Sequence, residues 1–209
     1  PGEVSLVALG PLTNLAQLFS LKTTKKKTPA TLTSPGAHPN LLKQVASLTV
    51  MGGAVNCPGN VTPYAEFNFH SDPLAAHLVL NCGVPMTLVD LAACRQVALN
   101  KNQVDDLRAD NLLGNLAIEL LQGRFKRHPT RDIFQFYDPL ALAVELDPTL
   151  VTTRRVSLEV ESGDLSRWGQ SSIVAEPGDI ALVTEVDRRG FFSLLAGLLG
   201  WSGLEFGTV

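Results

Sequence analysis

The chain has 209 residues, 45% of them hydrophobic and 18% charged, which is enough apolar material to bury the core of one globular domain. Its formal net charge of -3 leaves no broad cationic field, so wholesale binding to nucleic acid or to an anionic membrane is disfavoured. Three cysteines, Cys57, Cys82 and Cys94, form an odd set without a CxxC pair, which points away from a disulfide scaffold and toward a reducing, cytoplasmic setting.

The opening PGEVSLVALG has no basic n-region and starts almost inside a strand. It reads as neither a signal peptide nor a comfortable domain start, so the chain is expected to be incomplete at its N-terminus. Val4 to Leu9 predicts a strand, Gly10-Pro11 a turn, and Leu12, Leu15, Ala16 and Phe19 a helix. From Lys22 to Pro39 the composition shifts to Lys, Thr, Pro, Ser and Gly, the mark of an exposed loop insertion whose Lys25 to Lys27 run is solvated. A short helix near Leu41 to Val45 leads to a buried strand, Ser47 to Met51, that meets Gly52-Gly53. Asp72-Pro73 opens the next helix, with aspartate as cap and proline at the first helical position. Met86 to Val89 predicts a strand, and helical patterns cover Gln103 to Leu107, Leu112 to Phe125 and Asp138 to Leu146. Arg155 to Val160, Ser171 to Ala175 and Asp179 to Thr184 read as strands separated by turns, and a last helix opens after Asp187. Its greasy run Phe191 to Leu199 falls well short of the roughly 20 apolar residues that cross a bilayer. Strands alternating with helices early, then strands clustered late, predict one α/β domain with an open, mostly parallel sheet flanked by helices and carrying an antiparallel extension.

In such a sheet the ligand crevice lies beyond the carboxyl ends of the strands, which directs attention to the residues just after them. Gly10-Pro11-Leu12-Thr13-Asn14 reads first as a helix start with threonine or asparagine as cap. After Met51, the glycine pair permits either close approach to a ligand or tight helix packing. The loop that follows carries Asn60, Glu66 and Asn68 together with Pro58, Pro63, Tyr64 and Phe67. Amide and carboxylate groups of this kind can hold several sugar hydroxyls while an aromatic ring packs on the sugar's carbon face; the alternative is a polar loop that satisfies its own backbone. Tyr137-Asp138-Pro139 reads as a capped helix start, with one carboxylate oxygen left for a hard cation such as Ca²⁺. His38, His70, His77 and His128 show no metal-ligand spacing, and no GxGxxG, GxxxxGK[ST] or GxSxG motif occurs.

Taken in order, VALGPLTNLA, VMGGA, GNVTPYAEFNF with the following DPLAA, and YDPLA resemble the inosine-uridine-preferring nucleoside hydrolases. The likeness extends through Leu158 to Gly163, Arg167 to Gln170 and the final Asp187 to Phe192 stretch. It implies a Rossmann-like core and hydrolysis of the N-glycosidic bond of purine or pyrimidine ribonucleosides to base and ribose, a salvage reaction carried out with Ca²⁺-activated water. It further implies that Thr13 gives a backbone carbonyl and Asp138 a carboxylate to Ca²⁺, that Asn60, Glu66 and Asn68 hold ribose hydroxyls, and that Phe67 and Met51 line the pocket. Homodimers or homotetramers are implied as the assembly. Where the family often has histidine before its DPLA aspartate as proton donor to the leaving base, this chain has Tyr137, and a phenol of pKa about 10 is a poor donor at neutral pH. Where the family commonly shows LDVT, this chain has Leu91-Ala92-Ala93-Cys94. The family opens with an aspartate cluster, DxDxxxDD, which supplies most of the Ca²⁺ carboxylates and the base that activates water, and nothing like it occurs in this sequence. Against the ribohydrolase stand two readings of other classes: a non-catalytic ribose or nucleoside binder or degenerate pseudoenzyme, and a purely structural protein, which leaves the polar Asn60 to Asn68 loop unexplained.

Overall fold

Runs rich in aliphatic and β-branched residues form the strands of the central sheet, and the segments punctuated by capping residues form the helices. The computed structural model describes residues 2–19, 21–22, 31–32 and 42–204. In chain order these are β1 (Val4–Ala8), α1 (Thr13–Leu18), β2 (Leu21–Lys22), β3 (Thr31–Leu32), β4 (Val45–Met51), α2 (Phe67–Ser71), α3 (Pro73–Leu80), β5 (Met86–Val89), α4 (Leu91–Cys94), β6 (Ala98–Asn100), α5 (Lys101–Asp106), β7 (Arg108–Ala109), α6 (Leu112–Arg127), β8 (Ile133–Gln135), α7 (Tyr137–Leu146), β9 (Val151–Val160), β10 (Ser171–Val186), α8 (Arg188–Leu199) and β11 (Trp201–Ser202).

The main sheet has five strands in the order β1-β4-β5-β10-β9. Pairing is parallel from β1 to β10 and antiparallel only between β10 and β9. This is the open, mostly parallel sheet with an antiparallel extension that the element order predicts. Alternation along the strands separates two cores. Leu48 and Val50 of β4, Met86 and Leu88 of β5, and Ile180 and Leu182 of β10 face Leu12, Ala16, Ala76 and Val79 of the α1 and α3 side. Met51, Val89 and Val183 face the other way, into a core with Leu140, Val144, Phe191 and Phe192 from α7 and α8. A sheet covered on both faces is what strands with apolar residues at successive positions require.

Several local expectations are corrected. The insertion at residues 22–39 lies almost wholly outside the described residues, although β2 at its start pairs antiparallel with β3 within it. Leu41 also lies outside them, and Val45, expected in a helix, is the first residue of β4. The two late strands are one, β10: its register with β9 jumps between Ala175 and Ile180, so Glu176-Pro177-Gly178 is a bulge on a continuous strand rather than a turn between two. No described helix is long and apolar enough to cross a membrane.

Candidate active site at the carboxyl ends of β4 and β5

Two strands and their following residues make the floor of the site. Past β4, Gly52 donates to the Val89 carbonyl at 3.2 Å, and Leu91 donates back to the Gly53 carbonyl at 3.1 Å. The glycine pair serves packing: a Cβ on Gly52 would stand 2.5 Å from the Phe69 ring, and Gly53 has a φ of 81°. Past β5, Asp90 caps α4, accepting from Ala93 N at 3.1 Å and from Val55 N at 2.9 Å. Burial pushes its carboxyl up, and the backbone donors offset part of that rise. Sequence reasoning missed Asp90, although its place directly after a predicted strand was the available signal.

The loop from Gly59 to Asn68 does not stay a loop. Asn60 and Val61 donate to the Ala65 carbonyl at 3.1 and 3.3 Å, and residues 67–71 wind into α2. Glu66 is the N-cap of that helix and is only 2% exposed. One of its oxygens accepts from Asn68 N at 2.8 Å; the other accepts from Gly53 N and Phe69 N, both at 3.1 Å. Desolvation raises its pKa most, the three N–H donors pull it back, and the charge of Asp138 adds a smaller upward push. Asn68, also buried, donates through Nδ2 to the Met51 carbonyl at 3.0 Å and the Leu9 carbonyl at 3.4 Å, tying α2 to the ends of β4 and β1. Asn60 is exposed and accepts from Phe67 N at 2.9 Å, while the Phe67 ring is 56% exposed. The expected polar side chains thus lie past one sheet end; Asn60 and Glu66 also satisfy the loop's own backbone, and Asn68 serves the carbonyls of Met51 and Leu9.

Helix α7 brings in the other carboxylate. Asp138 was expected to cap it; instead the helix begins at Tyr137, with Phe136 at the N-cap and no side-chain cap. As the second helical residue, Asp138 makes no hydrogen bond or ion pair among the described residues, and its pKa is raised by desolvation alone. It stands close enough to Glu66 and to Cys94 for its charge to raise both groups. Tyr137 donates its hydroxyl to Gln135 Oε1, and burial pushes its pKa up, away from the range of a neutral-pH proton donor. Two turns on, Glu145 clasps α7 to β4: it accepts from Ser47 Oγ at 2.9 Å and Thr49 Oγ1 at 2.7 Å. Hydroxyl donors at Thr49, Ser5 and Ser47 outweigh desolvation, and its pKa is lowered. Such a long-range clasp leaves no local signal in the sequence.

The inosine-uridine preferring nucleoside hydrolase family model matches residues 1–193. The chain belongs to this family. Among curated relatives, the chain is 28% identical to the pyrimidine-specific ribonucleoside hydrolase RihA of Citrobacter koseri over 211 residues, covering 96% of this chain and 62% of that protein. With RihA of Enterobacter sp. strain 638 the identity is 30% over 203 residues, covering 92% of this chain and 59% of that protein. Of solved structures, the plant nucleoside hydrolase PpNRh1 superposes with a TM-score of 0.77 at 28% identity, covering 95% of this chain and 62% of that one. The purine-preferring ribonucleoside hydrolase from Gardnerella vaginalis gives a TM-score of 0.71 at 25% identity, with coverage of 95% and 62%. The chain therefore spans about three fifths of the length of these nucleoside hydrolases.

Membership in the nucleoside hydrolases makes the metal question concrete. Asp138 has the right chemistry for a hard cation, a carboxylate without a cationic partner among the described residues. Thr13, the first residue of α1 rather than its cap, directs its hydroxyl to Asp72 Oδ2 at 2.6 Å. The Asp72 carboxylate also caps α3, and this holds α1 against α3. Among the described residues no three His, Cys, Asp or Glu side chains come together as a metal cage. Asp138 fits as one ligand, and the Thr13 hydroxyl bond to Asp72 leaves its backbone carbonyl, the expected second ligand, uninvolved in that contact.

Proposed function

We propose that the protein hydrolyses the N-glycosidic bond of purine or pyrimidine ribonucleosides to free base and ribose. The observation that carries this reading is the convergence of Asp138 with Glu66, Asn68 and Met51 at the carboxyl end of the parallel strands. As the base departs, the ribosyl group becomes oxocarbenium-like, and fixed polar contacts to its hydroxyls strengthen as the ring flattens. Glu66 and Asn68 are held rigidly by backbone partners, so any hydroxyl contacts they make are pre-oriented, while the exposed Phe67 ring offers a face to the sugar. Asp138 offers its carboxylate and Thr13 its backbone carbonyl to Ca²⁺ as two of its ligands; bound Ca²⁺ would supply an acidified water. Tyr137 is not the proton donor to the base in this scheme, because its hydroxyl serves Gln135 and its pKa is raised.

The test is release of free ribose from inosine and uridine in the presence of Ca²⁺. Release that disappears in Asp138→Asn, with the fold intact by circular dichroism, is the expected result. A second reading, a non-catalytic ribose or nucleoside binder, is favoured by Glu66 and Asn68 already being engaged within the fold. Calorimetric binding of inosine without any ribose release would move the assignment to that reading.

A further inference from the structure

Charge is divided across the candidate site. On the metal and ribose side, the Asp138 carboxyl is shifted by desolvation alone, with no neighbouring cation acting on it. One residue earlier, the Tyr137 hydroxyl lies within the field of three guanidiniums, Arg95 foremost and then Arg131 and Arg124. Arg95 is the C-cap of α4, and its Nη2 donates to the Pro58 carbonyl at 2.6 Å. That bond fixes the half-buried guanidinium beside the start of the loop that carries Asn60. The Cys57 thiol takes a second contact from it. A guanidinium has five N–H donors, so these two contacts leave others for a ligand. The same charge is felt at Asp90 and Cys94, which sets Arg95 between the residues past β5 and the start of α7. Arg124 is steadied by donating to His128 Nε2 at 2.8 Å, and Arg131 stands exposed. None of the three arginines forms an ion pair among the described residues. The dipole of α6 accounts for Arg124 in its last turn; the single turn of α4 has little dipole to answer, and the helix end does not explain Arg95.

We propose that Arg95 stabilises the departing base as an anion, with Arg131 and Arg124 adding to the field, so that cleavage needs no proton donor on the base side. The proposal rests on the ribohydrolase reading and supplies its leaving-group residue. The C1′–N bond breaks and its electron pair stays with the base, spread in uracil or hypoxanthine over ring nitrogens and carbonyl oxygens. A water oxygen bonds to C1′ and releases one proton; the freed base takes up one proton from solvent, and one water is consumed for each bond cleaved. Negative charge thus grows on the guanidinium side while positive charge grows on the ribosyl ring beside Glu66 and Asp138. The site already carries the complementary division of charge before any substrate arrives, which is the arrangement that lowers a barrier without reorganisation. The Tyr137 hydroxyl, committed to Gln135, takes no part in the transfer. A guanidinium also keeps its charge at every ordinary pH.

Two substrates test this. The base of uridine needs its anion stabilised, whereas 4-nitrophenyl β-D-ribofuranoside has a leaving group that is stable as a free anion. With the full chain and Ca²⁺, Arg95→Met should cut kcat/KM for uridine roughly a hundredfold and for the nitrophenyl riboside less than about fivefold. Arg95→Lys keeps the charge without the planar fork and should recover about tenfold of the loss on uridine. Arg131→Met, at an exposed and screened position, should cost about threefold. Equal losses on the two substrates, or an Arg95→Lys chain as slow on uridine as Arg95→Met, overturn the proposal and reduce Arg95 to a strut for Pro58. Ribose release by the unsubstituted chain then leaves the ribohydrolase reading standing. An unsubstituted chain that releases ribose from neither substrate overturns that reading and this inference with it.

Discussion

Glu66 and Asp138 are two carboxylates at the same end of one sheet, each at the start of a helix, and the chain treats them in opposite ways. Glu66 is buried and accepts three backbone N–H groups, so it knits the residues after β4 to the first turn of α2. Asp138 lies inside the first turn of α7, caps nothing, and has no partner among the described residues. Backbone donors engage both oxygens of the first carboxylate, and none reaches the second among the described residues. A helix-start aspartate or glutamate is therefore not a single kind of residue, and what separates the two here is which backbone donors the rest of the fold brings to it.

Substitutions can break this contrast. The largest loss of stability is expected for Glu66→Ala, which leaves three N–H donors without their acceptor in a water-poor site; about 3 kcal/mol or more should disappear in urea unfolding. Glu145→Ala should cost less, about 1–2 kcal/mol, because its two hydroxyl bonds are partly exposed to solvent. The two glutamates should also respond to pH with opposite sign. The folded pKa of Glu66 is raised, so its contribution is fully present below the ordinary carboxylate pKa of about 4.3 and is lost as pH rises through the higher folded value. That of Glu145 is lowered, so its contribution is present above about 4.3 and is lost as pH falls through the lower folded value. Stability measured from weakly to strongly acid solution should lose the first slope in Glu66→Gln and the second in Glu145→Gln. The smallest effect on folding belongs to Asp138→Asn, whose unfolding free energy should stay within about 0.5 kcal/mol of the parent. A large drop there would mean that Asp138 is structural after all, and the contrast with Glu66 would vanish.

Much of this was legible before any coordinates. Asp72-Pro73 opens α3 and Asp187 caps α8 as expected, because an N-cap is a local device that needs only the few residues after it. Strands β4 and β5 were found for a similar reason: a continuous apolar run has few alternatives to a buried strand. Other features escaped a local reading. Phe67 to Ser71 is too short and too polar to show a helical period, yet Glu66 closes it into α2 through donors that include Gly53, thirteen residues away in the chain. Thr13 looked like a cap for α1 and instead serves Asp72, a partner that only the packing of α1 on α3 supplies. Glu145 drew no attention at all, because its donors lie on β4, nearly a hundred residues earlier.

Family, fold class and the set of polar residues gathered around the strand ends were determined by the sequence itself, through motifs and periodicities that act over a few residues at a time. The division of labour within that set was decided by tertiary structure alone. Whether a carboxylate is consumed by backbone donors or stands open to a ligand depends on groups distant in the chain, and no local pattern records which of them will arrive.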